Sequence, residues 1–387
     1  MSSTIRLPLD IVTDILRCLP VKSLLRFRCA SQAWCSLIDS SYLVKLHLAG
    51  SIEENKLMIV SIAEVVVDGS FIESVDIYAV DDDKDNGLVQ IKQRFHQFKS
   101  RERGARVLGS SNGMLVLGHH DETRKPLEIW NPLTEKCYTL PAQSSSVVYR
   151  EGYSFGSYFY YDASSNSHKL LGKVPDLVRG TCELQLYNLE TDHLTTLCGW
   201  PLTTEYGRYP SEPEECVVVN GAVVCWTARG SKGRDLFAFD LRTEECYQLQ
   251  FPDVHNYDKA SWNEVSLFDG CLTVSAFLRE NSRHVDGVPC DIWMMKEFGV
   301  RESWTKLLSF SVKKDEFWNL IPGRPLAYSE KRDKVLLECR TGPRSRLSWY
   351  DLNLKRLEEV QLAPTPGIVL YNTATVFVAS MVDFQNK

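Results

Sequence analysis

The sequence predicts a mostly β protein in which three short N-terminal helices precede a β-propeller, with six blades as the preferred count and seven as the alternative. Three observations carry this prediction. Apolar residues recur at helical spacing in the first 48 residues, one strand-turn-strand phrase recurs at intervals of 52 to 57 residues, and one strand is left over near the C-terminus. We therefore divide the 387 residues into a helical module, residues 1–48, and a β domain, residues 49–387.

The first helix is predicted to begin at Pro8, because proline lacks the N–H that would be unpaired in the first turn. Ile11, Ile15 and Leu19 then repeat every four residues and form one apolar face. Pro20 cannot continue the helix and ends it.

Two more helices follow within the helical module. Leu24 lies in the apolar side of the second, and Ser31 is placed to cap a third that carries Trp34. Three helices in about 40 residues bury too little surface to be stable alone. The module is therefore expected to rest on a neighbouring domain or on a partner.

The repeated phrase consists of an aromatic residue, an Asn or Asp, an apolar residue and a turn. It predicts a strand, a tight turn and a second strand in each unit. The clear copies are Trp130-Asn131-Pro132-Leu133-Thr134, Tyr187-Asn188-Leu189-Glu190-Thr191 and Phe239-Asp240-Leu241-Arg242-Thr243, and weaker copies are Trp293-Met294 and Tyr350-Asp351-Leu352-Asn353.

An earlier hairpin recurs upstream of several copies and brings each unit to four strands. Its turns are Asn112-Gly113, Asn220-Gly221 and Asp269-Gly270, which suit two-residue hairpin loops. The predicted units are residues 56–98, 104–143, 150–203, 211–253, 261–311 and 318–363. Residues 369–381 form the strand left over, which is expected to complete the first blade and close the ring.

Composition excludes several classes of function. The net charge of the chain is −6. Residues 1–48 have a net charge of +3 and residues 49–387 one of −9, and this acidic balance disfavours nucleic-acid binding. No C-x-x-C pair occurs among the twelve cysteines, so we predict no metal, and Cys216, Cys225 and Cys271 are interpreted as core thiols of a reducing compartment. No apolar run is long enough for a membrane span. The expected location is cytoplasmic and nuclear.

The residues also argue against an enzyme. The G-x-S-x-G match at residues 109–113 lies between two strands, so it is interpreted as a hairpin turn and not as a nucleophile. A propeller enzyme would place ionisable residues near the ring axis, and residues 113–117, 222–226 and 271–276, taken as inner strands, contain none. No cofactor motif is present, and none is predicted.

Two stretches resemble plant protein families. Leu19-Pro20-Val21-Lys22-Ser23-Leu24 and Arg26-Phe27-Arg28-Cys29, within residues 7–48, resemble the F-box, although Ala30 and Gln32 replace a larger aliphatic residue and a lysine. Residues 107–141 resemble the F-box-associated domain, whose nearest structural relatives are kelch-type propellers.

The resemblance implies a receptor subunit of an SCF-type ubiquitin ligase, which docks on a Skp1-like adaptor, and through it on cullin, and captures a protein for degradation. It allows immune receptors, pollen factors or hormone-pathway proteins as targets, and among these it favours plant immune regulation. The alternative is a scaffold that binds Skp1 without ubiquitinating a partner. The implied Skp1-docking residues are Leu7, Pro8, Ile11, Leu16, Leu19, Pro20, Leu24, Cys29 and Trp34.

Target binding is expected on the connections from the outer strand of one blade to the inner strand of the next, which emerge on one face of a propeller. Aromatic residues and arginine are enriched at protein hot spots. For Trp262 and Trp318, packing within an inner strand is an open alternative. The predicted residues are Tyr149, Arg150, Tyr206, Arg208, Tyr209, His255, Tyr257, Trp262, Phe317 and Trp318.

Overall fold

Four helices, one more than predicted, open the chain: α1 (Leu9–Cys18), α2 (Val21–Arg28), α3 (Gln32–Ile38) and α4 (Ser41–Glu53). The computed structural model describes residues 8–53, 56–67, 70–80, 88–97, 105–119, 126–147, 149–150, 153–154, 157–176, 181–201, 216–230, 233–253, 260–278, 287–313, 320–341, 344–360 and 368–383. Pro8 and Pro20 directly precede α1 and α2, and the Ser31 hydroxyl accepts a hydrogen bond from the Trp34 N–H, as predicted. Helix α4 crosses the expected boundary at residue 48.

Six four-stranded antiparallel sheets follow, and they confirm the six-bladed propeller. In chain order, blade 1 contains β1 (Leu57–Val67), β2 (Ser70–Val80) and β3 (Leu88–Gln97), and blade 2 contains β4 (Ala105–Ser111), β5 (Met114–His119), β6 (Glu128–Trp130) and β7 (Cys137–Thr139). A short helix, α5 (Ala142–Ser145), and a two-stranded ribbon, β8 (Tyr149–Arg150) and β9 (Tyr153–Ser154), lead to blade 3.

Blades 3 to 6 have the same order of strands. They comprise β10 (Ser157–Asp162), β11 (Ser167–Asp176), β12 (Thr181–Asn188) and β13 (His193–Pro201); β14 (Cys216–Val219), β15 (Val223–Gly230), β16 (Gly233–Asp240) and β17 (Glu245–Leu249); β18 (Ala260–Phe268), β19 (Cys271–Leu278), β20 (Gly287–Met295) and β21 (Trp304–Lys313); and β22 (Leu320–Tyr328), β23 (Lys334–Thr341), β24 (Arg344–Asp351) and β25 (Arg356–Glu359).

The final strand, β26 (Ile368–Val378), pairs antiparallel with β1, from Leu57 opposite Val378 to Val66 opposite Ile368. The predicted closure of the first blade is therefore confirmed. Contacts between neighbouring blades run through β26, β4, β10, β14, β18 and β22 and return to β26, so the first strand of each sheet lines the ring axis.

The core consists of one apolar cluster at each of the six junctions between adjacent blades. Between blades 1 and 2, for example, Ile77 packs with Leu115, and between blades 5 and 6 Ile292 packs with Leu337. The predicted core thiols Cys216 and Cys225 are buried in the clusters of blade 4, and Cys271 is half-buried. A seventh cluster lies within the helices and includes Met381 from the C-terminal end.

Side-chain caps explain the repeated phrase. In blade 2 the Asn131 Oδ1 accepts hydrogen bonds from the N–H groups of Leu133 and Thr134, at 2.9 and 3.2 Å. Asn188, Asp240 and Asp351 cap the turns of blades 3, 4 and 6 in the same way. Such Asx caps satisfy backbone donors that a tight turn leaves unpaired.

The weak copy in blade 5 has a different turn. No Asn or Asp follows Trp293, and the chain closes through a 3-10 turn, Arg301–Ser303, with the Ser303 hydroxyl accepting from the Glu297 N–H. The three predicted hairpins are confirmed, because both turn residues have positive φ, for example 51° at Asn112 and 81° at Gly113. The G-x-S-x-G match therefore ends in a hairpin turn.

Candidate docking and binding surfaces

The ring presents two faces with different contents. Because neighbouring strands are antiparallel, the turns after the first and third strands of every blade lie on one face, and all other connections lie on the opposite face. Helix α4 leads into β1 where β1 begins beside the end of β26, so the helices lie on the first of these faces. We call the first the helical face and the second the open face.

Large apolar side chains lie exposed on the helices. Leu9 is 65% exposed, Ile11 and Ile15 are about half exposed on successive turns of α1, and Phe27 and Trp34 stack with ring centroids 5.9 Å apart. The helical cluster is filled by a different set of side chains. These five residues, the exposed apolar set, are therefore available to a partner, since exposed apolar patches of this kind mark interaction sites.

The predicted docking residues divide between surface and core. Pro8, Ile11, Pro20, Cys29 and Trp34 are exposed. Leu19 is half-buried, and its carbonyl oxygen accepts a hydrogen bond at 2.9 Å from Nε2 of the buried His47 on α4. Leu7 lies outside the described residues.

Leu16 and Leu24 correct the predicted docking surface. They are 2% and 0% exposed, because they pack against Ile38, Leu43 and Met381 inside the helical cluster. Their side chains hold the helices together and are not on the surface.

Sequence reasoning missed Leu9, Ile15 and Phe27 as surface residues. Ile15 could have been found, since it follows Ile11 by four residues on the same helical face. Phe27 is exposed to solvent on one side and stacks on Trp34 on the other. Because Trp34 comes from a different helix, no local pattern indicates that contact.

A charged pair fixes the helices that carry this aromatic stack. The Arg28 guanidinium donates two hydrogen bonds to the Asp39 carboxylate, at 2.9 and 2.8 Å, and so joins α2 to the end of α3. The hydrogen bond with Asp39 raises the pKa of Arg28. The pair sets the relative position of Phe27 and Trp34.

The structure describes the backbone of three of the predicted target-binding residues. Tyr149 and Arg150 form β8 of the two-stranded ribbon between blades 2 and 3. Trp262 lies within β18, an inner strand, opposite Ala276 of β19. The others lie outside the described residues: Tyr206, Arg208, Tyr209, His255, Tyr257, Phe317 and Trp318.

The ring axis differs from the sequence-based expectation. The segments taken as inner strands belong to β5, β15 and β19. Each of these is the second strand of its blade, because the second strand of each hairpin was taken as the innermost one. The true inner strands carry Glu264 and Arg324, so the expectation that they lack ionisable residues was wrong.

Arg324 serves ring closure together with Glu338 of the neighbouring strand β23. An Arg324 Nη2 lies 2.6 Å from the Glu338 carboxylate and donates to the Ala374 carbonyl oxygen of β26 at 3.2 Å, and the Ala374 N–H donates to the same carboxylate at 3.1 Å. The pair thus holds both backbone groups of one closing-strand residue. Within the described residues, no group of three or more His, Cys, Asp and Glu side chains is placed to hold a metal ion. Among the helices in the described part of the chain, none is long and apolar enough to cross a bilayer.

Helices with an exposed apolar surface, mounted on a closed propeller, define an F-box type of receptor or adaptor protein. The F-box domain model matches residues 5–46. The model of the F-box associated beta propeller domain matches residues 75–379, and the chain therefore belongs to the F-box proteins that carry this domain.

Similar proteins have the same organisation. The F-box protein CPR1 of Arabidopsis thaliana is 26% identical over 97% of this chain and 88% of its own length. An F-box/kelch-repeat protein of the same plant is 25% identical over 88% of both chains. These relatives make this chain a plant F-box protein.

Solved structures resemble the ring more distantly. An oligogalacturonate lyase in complex with manganese is 11% identical over 80% of both chains, with a TM-score of 0.41. So distant a likeness carries no argument about activity.

Proposed function

We propose that the chain is the substrate receptor of an SCF-type ubiquitin ligase. In this proposal the helices dock on a Skp1-like adaptor, and through it on cullin, while the open face holds a target protein for ubiquitination and proteasomal degradation. The chain itself performs no catalysis, and it acts in the cytoplasm and nucleus. Plant immune regulation is the proposed pathway, on the resemblance alone.

The observation that carries the proposal is the exposed apolar set on the helices. Ile15 and Phe27 are about half exposed, so leaving them in water forfeits roughly half of the 1.5 to 3 kcal/mol that full burial of such a side chain contributes. The helical cluster is complete without them. A partner surface that buries them removes this cost, and the F-box match supports a Skp1-like adaptor as that partner.

Pull-down on immobilised Skp1 tests the docking. The variant carries Ile11→Ser and Ile15→Ser, whose side chains are exposed on α1, so the fold remains intact. Its matched control is Leu354→Ser, which removes an exposed leucine from the turn of blade 6. Since central apolar contacts at interfaces are worth about 2 kcal/mol or more, we expect Skp1 affinity to fall more than about tenfold in the double variant alone.

Ile11 and Ile15 give a cleaner test of Skp1 docking than the predicted docking residues Leu19 and Pro20. Replacing Leu19 also disturbs a half-buried residue beside the His47 hydrogen bond, so lost binding could reflect local unfolding. Equal Skp1 retention by the double variant and the intact chain would refute docking through this surface.

The scaffold alternative is separated by a different measurement. Proximity labelling under proteasome inhibition identifies proteins near the open face, and their half-lives are then compared with and without this chain. If the chain is a receptor, removing it lengthens the half-life of its bound target. Unchanged half-lives for all labelled partners, with Skp1 binding intact, would favour the scaffold.

A further inference from the structure

Residues 379–383 leave the closing strand and pass between the helices and blade 2. Met381 is 6% exposed and is packed in the helical cluster with Leu16 and Leu24. Val382 packs against that cluster and also against the cluster between blades 2 and 3. This segment, the C-terminal strap, therefore contacts both parts of the molecule.

Asn131 holds the strap through its side-chain amide nitrogen, which the turn does not use. Its Oδ1 caps the blade 2 turn, while Nδ2 donates to the carbonyl oxygens of Ser380 and Val382, at 3.1 and 2.9 Å. Asn131 is 3% exposed. The corresponding Asn188 of blade 3 donates instead to the Ser167 hydroxyl, within its own blade.

The end of the strap is held by a buried carboxylate. Asp383 forms an ion pair with Lys136, and it accepts a hydrogen bond from the Tyr138 hydroxyl at 2.6 Å. Only 3% of the Asp383 side chain is exposed. Burial and the hydrogen bond with Asp383 raise the pKa of Tyr138 to about 12, so the phenol remains a donor at neutral pH.

The strap also lies against the first hairpin of blade 2. A Cβ at Gly113 would approach the Ser380 Cβ to 2.4 Å, so a side chain there would displace the strap. Blade 2 thus contacts the strap through both of its turns on the helical face.

We propose that the strap is a positioning element and Asn131 a positioning residue, which together fix the orientation of the helices relative to the ring. The covalent path from α4 to β1 consists of residues 54–56, and one connection by itself leaves the orientation of the helices free. A second attachment, anchored in blade 2, removes that freedom. The consequence rests on the proposed function: a target on the open face is held at a fixed position relative to the adaptor.

The test substitution is Asn131→Asp, which keeps the turn cap and replaces two donors with a second acceptor facing two carbonyl oxygens. Asp240 and Asp351 already cap the turns of blades 4 and 6, so aspartate is compatible with this geometry. The matched control is Asn188→Asp, where the Ser167 hydroxyl can rotate to donate.

Orientation is measured by single-molecule fluorescence between dyes on non-canonical residues at Lys22 and Lys296, both exposed, on α2 and on the blade 5 turn. We expect a narrow distance distribution for the wild type and Asn188→Asp, and a broad one for Asn131→Asp. Amide exchange in α1 to α4 should become about ten- to a hundredfold faster in Asn131→Asp alone. A narrow distribution with unchanged exchange would overturn the proposal.

Skp1 affinity separates positioning from docking. We expect it to be unchanged in Asn131→Asp, and a loss matching that of the Ile11→Ser, Ile15→Ser variant would overturn the positioning role. If Asn131→Asp fails to fold, Tyr138→Phe removes one donor to Asp383 and should broaden the distribution less. A wild type that does not bind Skp1 would refute the proposed function, whereas the distance comparison would still decide the role of the strap.

Discussion

The two faces of the ring are built from the same strands but make different demands on the sequence. On the helical face the connections are short, from two residues at Asn112-Gly113 to eight at residues 296–303, and most close on their own side chains. The connection from β13 to β14 is 14 residues long, 202–215; it includes Tyr206 and Tyr209 in the sequence and lies outside the described residues. Turn chemistry thus specifies the helical face, and the proposed target binding falls to the open face.

The largest expected effect comes from opening the ring, since both faces depend on its closure. Glu338→Ala leaves Arg324 without its carboxylate beside the closing strand, and breaking a buried pair of this kind costs about 3 to 5 kcal/mol. Glu358→Ala is the control, since its pairs with Lys334 and Arg356 are exposed and worth about 1 kcal/mol or less. Urea unfolding measures both, and equal losses would show that the ring does not depend on this pair.

The next prediction separates structure from docking on the helical face. Leu24→Ala should destabilise by about 2 to 5 kcal/mol because it leaves a cavity in the helical cluster. Ile15→Ala, at a half-exposed position, should change stability by about 0.5 kcal/mol or less and yet weaken Skp1 binding. Thermal unfolding and calorimetric titration measure the two quantities. A large stability loss in Ile15→Ala would place that side chain in the core.

A third prediction tests the open face. Replacing Tyr206 and Tyr209 with alanine should weaken capture of a target identified by proximity labelling by about 2 kcal/mol, or roughly thirtyfold. Leu354→Ala, on the helical face, should leave capture unchanged. Biolayer interferometry with the purified target checks this. Weaker capture by Leu354→Ala alone would move target binding to the helical face.

The smallest effect concerns acid. Backbone N–H donors, from Arg242 to Asp240 and from Leu354 to Asp351, hold the pKa of each carboxyl below its ordinary value of 3.8. Because these pKa values are lowered in the fold, both caps stabilise fully above about pH 5, and that stability is lost as pH falls below about 4.

The Asp240→Asn, Asp351→Asn variant should therefore lose less thermal stability between about pH 5 and about pH 3 than the wild type. Differential scanning calorimetry at both pH values measures it. Asn131 and Asn188 provide the internal comparison, because their caps do not titrate. Identical pH profiles would mean that the caps contribute nothing measurable.

The ring was predictable because its signals are local. An Asn or Asp at the start of a turn and an Asn-Gly pair between strands act on their immediate neighbours, so the blade boundaries followed from the chain alone. The closing strand was predictable as well, since it was left over after the sixth unit. Blade 5 gave a weak copy because its turn uses Ser303 instead of an Asx cap.

The docking surface was predicted only in part, because burial depends on distant residues. Ile11 and Leu16 are both apolar and both on α1, and nothing nearby indicates that one is exposed and the other buried. A deciding contact, Met381, lies 365 residues after Leu16 (381 minus 16). Helix α4 was missed although its start carries a signal: the Ser40 hydroxyl accepts a hydrogen bond from the Leu43 N–H, as an N-cap serine does.

The position of Met381 has a consequence for biosynthesis. The helices leave the ribosome first, but a side chain of their core is added 343 residues after Ile38 (381 minus 38), roughly 20 to 70 s later at ordinary rates of elongation. During that interval the cluster around Leu16 and Leu24 lacks one of its buried members. A truncated product lacking residue 381 would therefore have an incomplete helical core, which favours its degradation.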